Sequence, residues 1–135
     1  MAFISTTETA GKERNKLCKE IVITVRELLK PNITEADIKD MTAFVALSLL
    51  RIHETIDLSV EAWEKRDYWI KAERFRQEWD WTKAMGLKIK QAAANNDLPV
   101  LAITTADLAQ KLSSIKVSEK HRLGTPWAGA FTKLK

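Results

Sequence analysis

The residues of this chain that could support catalysis are acidic side chains spaced three apart. Asp37-x-x-Asp40 and Glu61-x-x-Glu64-x-x-Asp67 each place their carboxylates on one side of a helix, because residues three apart are neighbours on a helical surface. On two antiparallel helices these groups could face each other and hold Mg²⁺, which prefers carboxylates and water as ligands. One hypothesis is therefore a magnesium site that uses Asp37, Glu61 and Glu64.

The same five carboxylates resemble the acidic motifs of a known class of enzymes. They are similar to the paired E-x-x-E and E-x-x-D motifs of the all-α nucleotide pyrophosphatases of the MazG and dUTPase type. The resemblance covers these five residues, and the order of the motifs and their residue types differ from that family. It implies an Mg²⁺-dependent nucleotide pyrophosphohydrolase as one functional hypothesis, and we assign the chain to no family on this basis.

The other patterns that could carry chemistry favour structural interpretations. The stretch HETID begins like a zinc-protease motif at His53, but its fifth residue is Asp57 in place of histidine. Cys18 is the only cysteine and lies on the apolar stripe of the first helix, which favours a packed thiol over a nucleophile. No phosphate loop, dinucleotide fingerprint or Ser-His-Asp grouping occurs. The leading interpretation is a protein that is not an enzyme and uses no cofactor or metal.

Composition and charge indicate a single folded domain. A chain of 135 residues that is 45% hydrophobic and 30% charged can bury one core. No apolar run has the length of a secretory signal or a bilayer span, which predicts a cytoplasmic protein with no membrane partner. The net charge of +4 is uneven, because residues 111–135 hold six basic residues and one acidic residue, a net charge of +5.

Helical periodicity predicts an all-α fold, a small bundle of about four helices with one long Trp-rich central helix. We expect the bundle over residues 1–117 and a basic, irregular C-terminal tail over residues 118–135. The first helix should span residues 11–29, where apolar residues recur at spacings of three and four. It should end before Pro31, because the residue before a proline resists helical dihedral angles.

Capping residues mark where the later helices begin. The second helix should begin after Thr34 at the N-cap, with Asp37 at the third helical position. We expect it to end near residues 57–59, although it could also continue into the third helix as one rod. Residues 99–103 are predicted to be extended, and Thr104 should cap a fourth helix.

Residues 61–81 hold four tryptophans, one tyrosine and one phenylalanine among eleven charged residues. In a continuous third helix over residues 60–94, the 3.6-residue period sorts most of these rings onto two faces. The first face is Tyr68, Ala72, Phe75 and Trp79, and the second is Trp63, Ile70, Trp81 and Met85. We expect one face to pack on the first two helices. The other face should be covered by the fourth helix, the tail or another molecule, since Trp and Tyr are enriched at interfaces.

The basic tail allows three interpretations. It could be a flexible solubilising end, a contact for an anionic partner such as nucleic acid or an acidic protein face, or a segment that folds back through Trp127 and Phe131. Its candidate anion contacts are Lys116, Lys120, Arg122, Lys133 and Lys135. Stacking of nucleobases on the aromatic segment is disfavoured, because residues 61–81 carry a net charge of −1.

The leading functional prediction is a non-catalytic helical interaction protein, either a homo-oligomer or a small subunit of a larger assembly. Its predicted partner contacts are Trp63, Ile70, Trp81, Trp127 and Phe131. A nucleic-acid-binding protein that uses the tail and the pyrophosphohydrolase described above are the two alternatives.

Overall fold

Five α-helices make up most of the computed structural model, which describes residues 6–134 and, within them, the side chains from residue 9 onward. No strand occurs in this part of the chain, so the predicted all-α fold is confirmed. The helices are α1 (Thr6–Leu28), α2 (Glu35–Glu64), α3 (Trp69–Trp79), α4 (Trp81–Ala94) and α5 (Leu98–Lys111), and a 3₁₀ turn (Ala130–Lys133) follows. No helix in residues 6–134 combines the length and the apolar character that a bilayer span requires.

α2 is the central helix, and it packs on α1, α3 and α4. The Thr34 hydroxyl accepts a hydrogen bond from the Asp37 N–H at 3.1 Å, which confirms the predicted start. The break expected near residues 57–59 is wrong, because Ser59 and Val60 are buried inside α2 and the helix continues to Glu64. The core contains side chains from four helices that are at most 1% exposed to solvent. They are Ile21 of α1, Leu49 of α2, Ile89 of α4 and Leu108 of α5.

α2 ends in a turn that the sequence analysis missed. The Tyr68 N–H donates to the Trp63 carbonyl at 2.9 Å and the Asp67 N–H donates to the Glu64 carbonyl at 3.0 Å, the two bonds of a Schellman motif. Asp67 has the left-handed conformation that this motif requires, with φ of 61°. Aspartate tolerates this conformation better than most residues do. The continuous helix predicted over residues 60–94 is therefore wrong.

A second interruption at Asp80 separates α3 from α4. The indole Nε1–H of Trp81 donates to the Glu78 carbonyl at 3.1 Å, and the Thr82 hydroxyl donates to the Trp79 carbonyl at 2.8 Å. Side-chain donors that follow the interruption thus bond to backbone carbonyls that precede it, which is a recognised cause of helix irregularity.

α5 begins earlier than predicted. Asp97 is its N-cap and accepts a hydrogen bond from the Val100 N–H at 3.4 Å, and Pro99 fits the first turn, where a missing N–H is harmless. Residues 99–103 are therefore helical and not extended. Thr104 is buried inside α5, where its hydroxyl donates to the Val100 carbonyl at 2.7 Å instead of capping the helix.

The C-terminal segment folds back onto the start of α2. The carboxylate of Asp40 accepts hydrogen bonds from the Gly129 N–H at 3.1 Å and from the Phe131 N–H at 3.0 Å. Ala130 is buried, and Leu134 packs against the core. Of the three interpretations of the tail, the structure shows the one in which it folds back.

Candidate interaction surface

The turn between α2 and α3 exposes three consecutive large side chains, which we call the aromatic corner: Tyr68, Trp69 and Ile70. Their exposed fractions are 52%, 58% and 71%. Large apolar residues exposed one by one are ordinary in folded proteins, but contiguous apolar patches mark contact sites. The corner exists because the left-handed Asp67 lies in the turn between α2 and α3, so Tyr68 and the first two residues of α3 lie at a bend and not along one continuous helix.

An open groove of about 450 Å³ lies directly beside the corner, and we call it the aromatic groove. It is lined by Trp63, Ile70, Lys71, Arg74, Phe75 and Glu78. The rings of Trp63 and Phe75 meet edge to face with centroids 4.8 Å apart, and Lys71 Nζ lies 4.5 Å from the Trp63 ring centre. On a straight rod Trp63 and Phe75 would be roughly 18 Å apart, so the turn at Asp67 creates this contact.

The two aromatic faces expected from the helical projection form only in part, because Ala72, Phe75 and Trp79 pack together against the core but Tyr68 is exposed. Phe75, Trp79 and Trp81 also continue a row that starts at Trp63, with centroid distances of 6.3 Å and 6.2 Å between successive rings. Trp81 stacks on Trp79 and lies 5.6 Å from Lys111 Nζ, outside the aromatic groove. Of the predicted partner contacts on this segment, the structure brings Trp63 and Ile70 together and leaves Trp81 apart.

A buried arginine packs against the aromatic row, which consists of Trp63, Phe75, Trp79 and Trp81. Arg14 of α1 is 9% exposed, and its Nη1–H groups point at the hydroxyls of Thr55 and Ser59 at 3.4 Å and 3.5 Å. The guanidinium carbon lies 4.7 Å from the centre of the Phe75 ring, a distance at which a cation is attracted by an aromatic face. Burial lowers the pKa of Arg14, although nearby charges partly oppose this shift. Arg14 therefore links α1, α2 and α3.

Sequence reasoning missed Arg14, although its position gave a signal. It precedes Cys18 by four residues and Ile21 by seven, so a charged residue occupies the apolar stripe of α1. Such a position indicates a buried charge that must find partners in the fold.

The aromatic groove carries charges of both signs. Arg76 forms ion pairs with Glu64 at 3.5 Å and Glu73 at 2.9 Å, so those groups already have partners within the chain. Arg74 and Glu78 line the groove, and neither forms a close ion pair among the described residues, although Glu78 is near enough to the Arg14 guanidinium to raise its pKa against the effect of burial. The surface thus presents one basic and one acidic group that a second molecule could pair.

The magnesium arrangement proposed from the acidic pairs is wrong within one chain. Asp37 and Asp40 lie in the first two turns of α2, whereas Glu61 and Glu64 lie in its last turn. At 1.5 Å per residue the two pairs are roughly 35 Å apart. Asp40 also binds the N–H groups of the C-terminal segment. Across the described residues, no group of three His, Cys, Asp or Glu side chains is placed to hold a metal ion.

The candidate nucleophile and the candidate histidine lie away from the aromatic corner. Cys18 is 3% exposed, and burial raises the pKa of its thiol to about 11, with a smaller opposing effect of Arg14. The thiol is therefore protonated at neutral pH, as a packed cysteine should be. His53 Nε2 lies 3.4 Å from Asp57 on the same helix.

The predicted contacts of the tail lie on the other end of the molecule. Lys116, Lys120, Arg122 and Lys133 are exposed, whereas Lys135 falls outside the described residues. Trp127 and Phe131 are half-buried, and Lys39 Nζ lies 5.6 Å from the Phe131 ring. A role of these residues in binding a partner stays a prediction.

Comparison of the chain with protein-family models, with curated proteins and with solved structures gives no match.

Proposed function

We propose that this protein is a non-catalytic helical interaction module that self-associates through the aromatic corner and the aromatic groove. The observation that carries the proposal is the exposure of Tyr68, Trp69 and Ile70 as three consecutive side chains at one bend. Tryptophan and tyrosine dominate the energetics of protein interfaces, because they bury much apolar area with little loss of side-chain freedom.

The shape of the surface favours a second copy of the same chain as the partner. A projecting corner and a recess lie side by side and share Ile70, so a copy related by a two-fold axis can place its corner in the recess of the first. The same axis allows Arg74 of each copy to approach Glu78 of the other. A surface that carries both shapes and both charges is complementary to itself.

The apolar area exposed at the aromatic corner sets the expected affinity of the dimer. From their exposed fractions, the three corner side chains offer roughly 270–450 Å² per copy, if each side chain exposes about 150–250 Å² when free. Two copies would bury on the order of 540–900 Å² from these residues, below the roughly 1,200 Å² at which specific interfaces begin. Groove residues add to this area, so we expect a reversible dimer with a Kd in the micromolar range, about −8 kcal/mol.

Light scattering over a range of concentrations tests the proposal. Wild-type protein should approach twice its monomer mass as the concentration rises, and Ile70→Glu should stay monomeric because it places a charge in the dry centre of the interface. Leu87→Glu is the matched control, because Leu87 is 48% exposed on α4 and does not line the groove. A wild-type protein that stays monomeric up to about millimolar concentration would show that the corner does not bind a second copy.

A further inference from the structure

A second apolar groove lies between α1 and α5, toward the opposite end of α2 from the aromatic corner. It consists of two hollows of about 240 Å³ and 210 Å³ that meet at Leu29, a residue that is 68% exposed. We call it the α1–α5 groove. Its walls are formed by Val22, Arg26 and Leu29 from α1 and the segment that follows, and by Ala102, Thr105 and Ala109 from α5.

The α5 wall of this groove is a stripe of residues at regular helical spacing. Leu98, Ala102, Thr105 and Ala109 follow each other at intervals of four, three and four, so they form one face of α5. Three of the four are small, which lets another helix approach closely, since helix axes pack 8–10 Å apart depending on the contacting side chains. Leu101 and Leu108 are buried beneath this face and close the floor. The groove therefore suits a partner that docks as a helix better than a partner that presents a flat surface.

Most charges on the rim are basic, with Glu119 as an acidic exception in the segment that follows α5. Lys19, Val22 and Arg26 share one side of α1, and Lys19 is exposed without an ion-pair partner in residues 9–134. The Arg26 guanidinium donates to the carbonyls of Val117 at 2.6 Å and Ser118 at 3.4 Å, which holds the neighbouring Lys116 at the same rim.

The opposite wall has few acidic residues to offset these charges, and Asp97 at its start already accepts a hydrogen bond from the Val100 N–H. Asp107 is the single acidic residue of α5, and it lies two positions from both Thr105 and Ala109, on the other side of the helix. Ile115 lines the same hollow as Ala109, so the basic segment that follows α5 borders the groove directly.

We propose that the α1–α5 groove binds an acidic amphipathic helix of a partner protein. The apolar stripe of that helix occupies the two hollows on either side of Leu29, and its carboxylates face Lys19 and Lys116. This mode of recognition places i, i+3, i+4 and i+7 side chains in an apolar groove. The proposal goes beyond self-association, because the groove includes Thr42 near the start of α2 and the aromatic corner follows its end. A chain with both surfaces joins a partner helix to a second copy of itself.

Fluorescence anisotropy with designed peptides tests this inference. The probe is a labelled helical peptide of about 18 residues with leucines at i, i+3, i+4 and i+7 and glutamates on its flanks. A second peptide carries lysine in place of every glutamate, and a single-stranded oligouridine of similar charge serves as the nucleic-acid arm. The measurements are repeated with Ile70→Glu, so that peptide binding is recorded independently of self-association.

The acidic peptide should bind about ten-fold or more tightly than the lysine peptide, and added salt should weaken it. Ala102→Arg should block the groove and abolish binding, whereas Ala84→Arg on the exposed face of α4 should not. Lys116→Glu should weaken binding, and Lys83→Glu is its control on α4.

Two results would overturn the inference. The first is an acidic peptide that fails to bind at about millimolar concentration, or that binds Ala102→Arg as well as wild type. The second is oligouridine that binds more tightly than the peptide and responds to Lys116→Glu but not to Ala102→Arg, which would assign the basic segment to nucleic acid. Binding by Ile70→Glu at wild-type affinity would leave the inference standing even if self-association had failed.

Discussion

Replacing Trp69 by alanine removes the largest side chain of the aromatic corner from both halves of the proposed dimer. Trp69 is 58% exposed in the single chain, so about 90–145 Å² of a side chain that offers 150–250 Å² is available to a partner. At about 25 cal/mol per Å² this area is worth about 2–4 kcal/mol. Tryptophans at interface centres lose 2 kcal/mol or more on truncation, which agrees with the lower end of that range.

Because a two-fold axis uses the residue twice, the expected loss for Trp69→Ala is about 4 kcal/mol per dimer. This loss corresponds to a roughly thousand-fold higher Kd, which moves a micromolar dimer into the millimolar range. Sedimentation equilibrium at several loading concentrations measures both dissociation constants, and Leu87→Ala controls for the loss of an exposed apolar side chain elsewhere. Thermal unfolding should hardly change. A dimer that forms equally well with Trp69→Ala would refute the assignment of the corner to the interface.

Three further predictions concern the turn, the aromatic row and the buried thiol. Asp67 has φ of 61°, a conformation that glycine adopts without steric cost and that a β-branched residue resists. Asp67→Gly should therefore raise the free energy of unfolding by about 0.5–1 kcal/mol, and Asp67→Val should lower it by about 1–2 kcal/mol. Equal urea midpoints for the two variants would contradict a left-handed turn. Phe75→Leu should cost about 2–3 kcal/mol by removing the Trp63 ring contact and the Arg14 cation–π contact, whereas Phe44→Leu, which lacks both contacts, should cost less. The pKa of Cys18 is raised to about 11, so the folded state holds this proton while the unfolded state loses it, and stability should fall by about 2–3 kcal/mol as pH rises from about 9 to 11. Urea titrations of Cys18→Ala across that range should show a smaller fall, and an identical fall would contradict the burial of the thiol.

The parts of the fold that the sequence predicted are those with strong local signals. Thr34 has a capping hydroxyl and an acidic residue three positions later, so the start of α2 was predictable from four residues. Cys18 falls within an apolar stripe of period 3.6, and it is buried as expected. Signals of this kind depend on neighbours in the chain and not on the tertiary structure.

The errors arose where tertiary structure or an uncommon backbone conformation decides. The turn at Asp67 contains no glycine or proline, and an aspartate in the left-handed region gives no signal that separates it from a helical aspartate. Thr104 resembles an N-cap but lies inside α5, because Asp97 caps the helix seven residues earlier. Asp97 and Thr104 are both residue types that favour an N-cap, and packing decides between them.

The candidate interaction surface was only half predictable for the same reason. Ile70 was placed on the same predicted face as Trp63, and both line the aromatic groove, with Ile70 71% exposed. Trp69 falls between the two projected faces and was assigned to neither, although it is 58% exposed in the structure. Tyr68 was placed on the same face as Phe75, but the bend directs it into solvent. The groove between α1 and α5 has no sequence signal of its own, since it depends on how two helices pack.

The most direct test of the central claim, that the bend after α2 is a self-association surface, is a dilution series of amide spectra recorded by NMR. On concentration from about 1 µM to 100 µM, a range that begins at the expected Kd of about 1 µM, the N–H signals of Trp63, residues 68–71 and Phe75 should shift together along one binding curve. Signals from Val22, Ala102 and Ala109 should stay in place. Spectra that do not change with concentration, or shifts centred on α1 and α5, would contradict the account.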